Sequence, residues 1–164
     1  MKKLSLLLFL LLALSASGCY DVRLSDVKPG SVYCAVFRND TFYRTFDETL
    51  NVEIRRLLAR NSVFTVASSP RDADYVLQGT ILSLSRRVIQ TGKEDIPLEY
   101  AYECKIAYLF TDRDGRNTGR EGGRVTLRRS WRYLPAAGET QDDALRALAV
   151  FIAEEIVRDL QKKW

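Results

Sequence analysis

The hydrophobic pattern of the chain alternates between stretches with a period of two residues and stretches with a period of about 3.6, which predicts strands interspersed with helices. Residues 31–37 (SVYCAVF) form an apolar, β-branched and aromatic run after Pro29 and Gly30, so we expect a first strand inside a sheet. Residues 63–66 (VFTV) predict a short second strand. Residues 73–85 (ADYVLQGTILSLS) predict a long third strand, and Gly79 inside it indicates a bulge or a close approach to the backbone.

Two further strands are predicted as a hairpin. A polar connection over residues 90–97 leads to a strand over residues 100–110, and turn chemistry over residues 112–123 leads to a last strand. The even positions of the first of these strands are apolar or aromatic: Tyr100, Tyr102, Cys104, Ile106, Tyr108 and Phe110. The last strand, residues 124–133, alternates between an apolar face of Val125, Leu127, Trp131 and Tyr133 and a polar face of Arg124, Thr126, Arg128, Ser130 and Arg132.

Two helices are predicted from apolar stripes and from cap residues. Thr45 and Glu48 have the spacing of a capping box, and Asn61 is a suitable end for the helix that follows. Its stripe consists of Phe46, Leu50, Ile54, Leu57 and Leu58. Thr140 and Asp143 predict the start of a last helix, whose stripe consists of Leu145, Leu148, Ile152, Ile156 and Leu160.

The element order βαββββα predicts an α+β fold of two layers. Each helix has one apolar stripe, so both helices should cover the same face of a mixed sheet of about four to five strands. The other face is then left bare. We expect Arg124, Arg128 and Arg132 to give that face positive character, extended by Lys105 and the pair Arg86 and Arg87.

The N-terminal residues predict export and lipidation. Lys2 and Lys3 precede an apolar run over residues 4–14, which is shorter than the roughly 20 residues of a membrane-spanning helix and is typical of a signal peptide. The sequence SASGC, residues 15–19, resembles the bacterial lipobox. That resemblance implies that residues 1–18 are removed and that Cys19 is acylated, with palmitate among the chains. The alternative is an ordinary secretory signal with Cys19 as a spare thiol.

Removal of residues 1–18 takes away two lysines, which lowers the formal net charge from +4 to +2. This charge is too small to predict a nucleic-acid-binding tail. The remaining chain divides into a lipidated cysteine with a linker, residues 19–30, and one domain, residues 31–164, of a size that supports one core. A disulfide between Cys34 and Cys104 is permitted outside the cytoplasm, but two buried free thiols in strands are favoured.

No catalytic or metal-binding pattern is found. The chain has no histidine, which removes the commonest general base and metal ligand. Asp112, Asp114 and Gly115 begin like a calcium loop, but the remaining ligands and the closing glutamate are missing, so a hairpin turn is favoured. We therefore predict a protein that is not an enzyme and that needs no cofactor and no metal.

The lipobox, AVFRNDT (residues 35–41), ADYVLQGTILSL (residues 73–84) and ALRALAVFIAEEIVRDL (residues 144–160) together resemble lipopolysaccharide-assembly lipoproteins of the LptE type. The resemblance covers the mature chain, with a longer and more glycine-rich last hairpin turn. It implies a lipoprotein anchored on the periplasmic side of the outer membrane, which plugs a large β-barrel translocon, helps it assemble and contacts lipopolysaccharide.

The arginine row suits that role, because guanidinium groups bind phosphate bidentately and lipopolysaccharide is polyanionic. In the alternative interpretation, the arginine row binds no ligand. It then either keeps the exposed sheet soluble or pairs with carboxylates of the barrel. Two other interpretations of the whole protein stay open: a lipoprotein that activates a peptidoglycan synthase or serves a secretion pore, and a purely structural envelope lipoprotein.

Overall fold

The computed structural model describes residues 30–116 and 124–161. The predicted signal peptide, Cys19, the linker as far as Pro29 and much of the glycine-rich turn lie outside the described residues. The elements in chain order are β1 (Gly30–Cys34), β2 (Arg38–Asn39), α1 (Phe46–Ala59), β3 (Phe64–Val66), β4 (Tyr75–Thr91), β5 (Pro97–Asp112), β6 (Val125–Tyr133) and α2 (Gln141–Leu160).

The strands form one mixed sheet in the order β3-β1-β4-β5-β6, with the two-residue β2 beside β4. β1 pairs in parallel with β3 and β4, and β2 also runs parallel to β4. β4, β5 and β6 are antiparallel neighbours. The predicted α+β architecture is confirmed, with β2 as one strand more than expected, and β1 is internal as predicted.

One hydrophobic cluster joins both helices to one face of the sheet. The predicted stripes supply it, with Leu57 and Leu145 only partly buried at its margin. The fully buried large side chains include Leu50, Ile54 and Leu58 of α1, Leu148, Ile152, Ile156 and Leu160 of α2, and Leu77, Ile81, Tyr102 and Ile106 of the sheet. The helices run in the same direction, because Phe46 lies near Asp142 at one end and Asn61 lies near Arg158 at the other.

Gly79 and the bulge in β4 are two separate features. A Cβ atom at Gly79 would lie 2.2 Å from the ring of Phe37, so the glycine allows this ring to pack on the strand. The first shift in the pairing register of β4 with β5 falls later, between Ile81 and Ser83, and two more follow near the end of β4, between Val88 and Thr91. Leu82 is therefore the extra residue, and it brings Leu84 back onto the helix-covered face, where it is buried.

Two sequence predictions about element ends are wrong. β4 continues to Thr91 and β5 begins at Pro97, so both strands extend beyond their predicted ends and the predicted polar connection over residues 90–97 is confined to residues 92–96. Cross-strand pairing outweighs polar composition there. The capping box at α1 does not form either: Thr45 has helical φ and ψ of −98° and −3°, and its side chain makes no cap hydrogen bond.

Cys34 and Cys104 are both buried free thiols, as the sequence favours. Cys34 pairs with Leu77 and Cys104 pairs with Leu84, so the cysteines lie on opposite sides of β4 and are offset along it. Burial raises the pKa of Cys34 to about 11, against a smaller opposing effect of the Arg55 charge, and burial raises the pKa of Cys104 to about 12.

We predict that Thr140→Ala lowers the free energy of unfolding by about 1 kcal/mol, because the Thr140 hydroxyl accepts a hydrogen bond from the Asp143 backbone N–H at the start of α2. Thr45→Ala is the matched control, since this threonine precedes α1 without capping it. Urea denaturation of both variants measures the difference. Equal losses would contradict the cap assignment.

We also predict that the thiols make stability fall at alkaline pH. Each folded-state pKa lies above the ordinary value of 9.0, so the unfolded chain releases its thiol protons first. The stabilising contribution is complete below pH 9 and declines by about 1.4 kcal/mol per pH unit for each thiol as the pH rises towards its folded pKa. Urea denaturation between pH 8 and 11, with reductant present, should give a shallower decline for Cys104→Ala than for the unchanged chain. Parallel curves would refute the burial effect.

Candidate functional site on the bare face of the sheet

The face of the sheet that the helices leave uncovered, called here the open face, is built by alternation in β4, β5 and β6. The even residues of β5 from Tyr102 to Phe110 point into the core, so its odd residues point the other way. Pairing then forms rows across the three strands. These rows are Thr80–Ala107–Thr126, Ser83–Lys105–Arg128, Ser85–Glu103–Ser130 and Arg87–Ala101–Arg132.

The open face brings together most of the predicted cationic residues. Arg128 lies beside Lys105, and Arg132 shares a row with Arg87. Arg124, directly before β6, reaches the same face, because its Nη2 atom donates a hydrogen bond to Thr80 Oγ1 at 3.5 Å. Five of the six predicted side chains therefore share this surface.

Two carboxylates moderate the charge of the face. Arg128 pairs with Glu103, and Arg132 pairs with Glu99 at 3.5 Å. The arginine side chains remain 72% and 70% exposed, while the glutamate side chains are only 25% and 15% exposed. The two guanidinium groups therefore lie further from the sheet than the carboxylates, and their N–H groups that do not bind a carboxylate face the solvent. Exposed pairs of this kind contribute at most about 1 kcal/mol, so a better anion can replace the carboxylate.

Arg124 borders a shallow cavity of about 300 Å³ on the open face. The cavity is also lined by Gln78, Thr80, Ala107 and Leu109. Within residues 30–116 and 124–161, no carboxylate forms an ion pair with Arg124. Among the described residues, no carboxylate competes for this guanidinium with an anionic group that enters the cavity.

The prediction that Arg86 joins the open face is wrong. The register shift at Leu82 places Arg86 opposite Tyr102, on the helix-covered side. Its guanidinium lies 4.8 Å from the centroid of the Tyr100 ring and donates a 3.4 Å hydrogen bond to the Gln141 side chain. Tyr133 stacks between Tyr100 and Tyr102, with ring centroids 5.4 and 5.7 Å away. Arg86 therefore tethers the β4–β5 hairpin to the start of α2.

Arg129 was missed in the sequence analysis. It sits between Arg128 and Ser130, but period-two alternation places it on the same side as Leu127 and Trp131, and this signal could have identified it. Arg129 forms a two-fold hydrogen-bonded ion pair with Glu155 of α2, which raises the pKa of the arginine. This arginine connects β6 to α2 and is not part of the open face.

The described residues contain no group of three or more histidine, cysteine, aspartate or glutamate side chains arranged to hold a metal ion. None of the described helices has the length and apolarity needed to cross a membrane. Cys19, the predicted lipidation site, lies outside the described residues. The open face is accordingly the candidate site that the described geometry offers, and its chemistry is that of anion binding.

Several solved structures share this fold. Lipoprotein B from Nitrosomonas europaea superposes with a TM-score of 0.56 at 12% identity, over 88% of this chain and 90% of that one. The PelC dodecamer from Paraburkholderia phytofirmans gives 0.53 at 15% identity, over 80% and 88%. A lipoprotein from Caulobacter crescentus gives 0.52 at 15% identity, over 79% and 87%. At these identities the likeness shows the fold alone.

No curated protein matches the sequence significantly. A family model described as LptE, lipopolysaccharide-assembly, matches residues 30–160, which include every helix and strand in the part of the chain that the structure describes. The chain therefore belongs to the LptE family of lipopolysaccharide-assembly lipoproteins.

Proposed function

We propose that this protein is an outer-membrane lipoprotein, anchored through Cys19 on the periplasmic side, that binds lipopolysaccharide on the open face and acts as plug and assembly partner of a β-barrel translocon. The observation that carries the proposal is the convergence of Arg87, Lys105, Arg124, Arg128 and Arg132 on the sheet face that α1 and α2 leave uncovered. Family membership supports the role in lipopolysaccharide assembly.

The electrostatics of the open face suit a ligand with several phosphates. Five cationic side chains face two carboxylates, Glu99 and Glu103, so the face keeps a positive balance. Three of the cations are on β6 or directly before it, spaced four residues apart, and therefore about 13 Å between neighbours. Phosphate groups on a sugar backbone can contact such a row through bidentate hydrogen bonds.

The position of the anchor supports a role close to the membrane. Ten residues lie between Cys19 and the start of β1 at Gly30, so the chain from one to the other spans at most roughly 40 Å. β4 begins beside β1 and continues for 17 residues, which corresponds to roughly 55 Å. The open face thus extends from the anchored end to the far hairpin, a shape that suits a plug in a wide barrel.

Charge reversal on β6 tests the proposal. We expect Arg124→Glu, Arg128→Glu and Arg132→Glu together to weaken binding of purified lipopolysaccharide by at least about tenfold, because the variant loses three cations and places three anions on the same face. Binding is measured by isothermal titration with the mature lipidated chain in mild detergent, at two salt concentrations. The unchanged chain should show the stronger dependence on salt.

The matched control reverses three exposed arginines away from the open face, Arg44, Arg60 and Arg146, which gives the same net charge. This control should bind lipopolysaccharide like the unchanged chain. Mass spectrometry of the proteins that co-purify with each variant tests the barrel role. Recovery of a peptidoglycan synthase or a secretion pore in place of a large β-barrel would overturn the plug assignment, and equal ligand binding by both triple variants would overturn the ligand site.

A further inference from the structure

The two edges of the sheet differ in how they are protected. β3, at one edge, has three residues, and short edge strands resist pairing with other chains. β6, at the other edge, has nine residues without proline or glycine, and its register with β5 has no shift. Within the described part of the chain, β6 pairs with β5 alone. Its outer edge therefore offers a regular row of backbone hydrogen-bonding groups.

An apolar groove accompanies this edge on the helix-covered side. Trp131 of β6 is 40% exposed and lies against Phe151 of α2, with ring centroids 6.2 Å apart. Ala147 and Val150 continue the groove along α2, and its volume is about 530 Å³. Asp143, Arg146 and Glu154 form its polar rim. A strand added next to β6 would project every second side chain towards this groove.

The charges of β6 indicate which strand would fit. On the open face, Arg124, Arg128 and Arg132 follow one another with only threonine and serine between them on that face. Residues 124–133 contain four arginines and no acidic residue. A second copy of β6 would bring like charges together on one face, which destabilises strand pairs, whereas opposite charges across a pair stabilise it by about 0.2–1 kcal/mol each.

We propose that the outer edge of β6 binds an extended segment of a partner protein in which acidic and apolar residues alternate. The backbone of the segment pairs with β6, its carboxylates lie beside the arginines of the open face, and its apolar side chains enter the groove that Trp131, Phe151, Ala147 and Val150 line. This is strand addition, in which main-chain hydrogen bonds supply affinity and alternate side chains supply specificity. The proposal does not depend on lipopolysaccharide binding.

The test uses the mature lipidated chain in mild detergent and a synthetic nine-residue peptide of alternating glutamate and valine. The expected results are saturable binding, at least about tenfold preference over the same peptide with lysine in place of glutamate, and slower amide hydrogen exchange along residues 125–133 by NMR. Trp131→Ala should weaken peptide binding by about tenfold, because aromatic side chains dominate such interfaces. Phe42→Ala is the control, since Phe42 is a fully exposed aromatic residue outside β6 and α2.

Several results would overturn the proposal. Binding without slower exchange along β6 would mean that the peptide occupies another surface. Equal affinity for the glutamate and lysine peptides would remove the charge argument. A dimer in sedimentation that the peptide does not dissociate would assign the edge to a second copy. Slow exchange along the outer edge before the peptide is added would assign it to another segment of this chain.

Discussion

Each helix of this protein has one apolar stripe, and the rest of the structure depends on where the two stripes are buried. α1 and α2 lie side by side and pack on the same face of the sheet, so that face becomes the core and the opposite face stays in contact with solvent. The strands follow from this constraint. β5 and most of β6 carry their large buried side chains on the covered side, and the charged residues Glu103, Lys105, Arg128 and Arg132 are on the other, because a side chain can only join the core from the covered side.

The features that depend on local periodicity could be predicted from the sequence. The stripe of α1 through Leu50, Ile54 and Leu58 and the alternation of β5 are regular enough to assign both elements and their buried faces. Features that depend on contacts between distant residues could not be predicted. The continuation of β4 to Thr91 requires pairing with β5, and the packing of Phe37 on Gly79 joins two strands that are not adjacent in the sequence.

The residues of the candidate site also divide into those that local periodicity predicts and those that depend on contacts between distant parts of the chain. Arg124, Arg128 and Arg132 were assigned to one face by period-two alternation alone, and the structure places them there. Arg86 was misassigned because it was placed on the same face as its neighbour Arg87, although adjacent residues of a strand point to opposite faces. The extra residue in β4 decides that Arg87 is the one on the open face. Glu99 and Glu103 acquire their role as partners of the arginines only through the register of β5 and β6. Proteins with this fold carry different names at 12–15% identity, so function must be argued from such side chains.

The extra residue Leu82 determines how the second half of β4 is bent relative to the first half. If this one residue were deleted, Ile81 and Leu84 would still point to the core and Ser83 would still point outward, because the strand would resume its regular alternation. Apart from Leu82 itself, the same side chains would face the core and the same side chains would face the solvent. What would change is the local bend and right-handed coil that an inserted residue imposes on a strand. Leu82 therefore sets the angle between residues 75–81 and residues 83–91 of β4, without changing which side chains either face of the sheet presents.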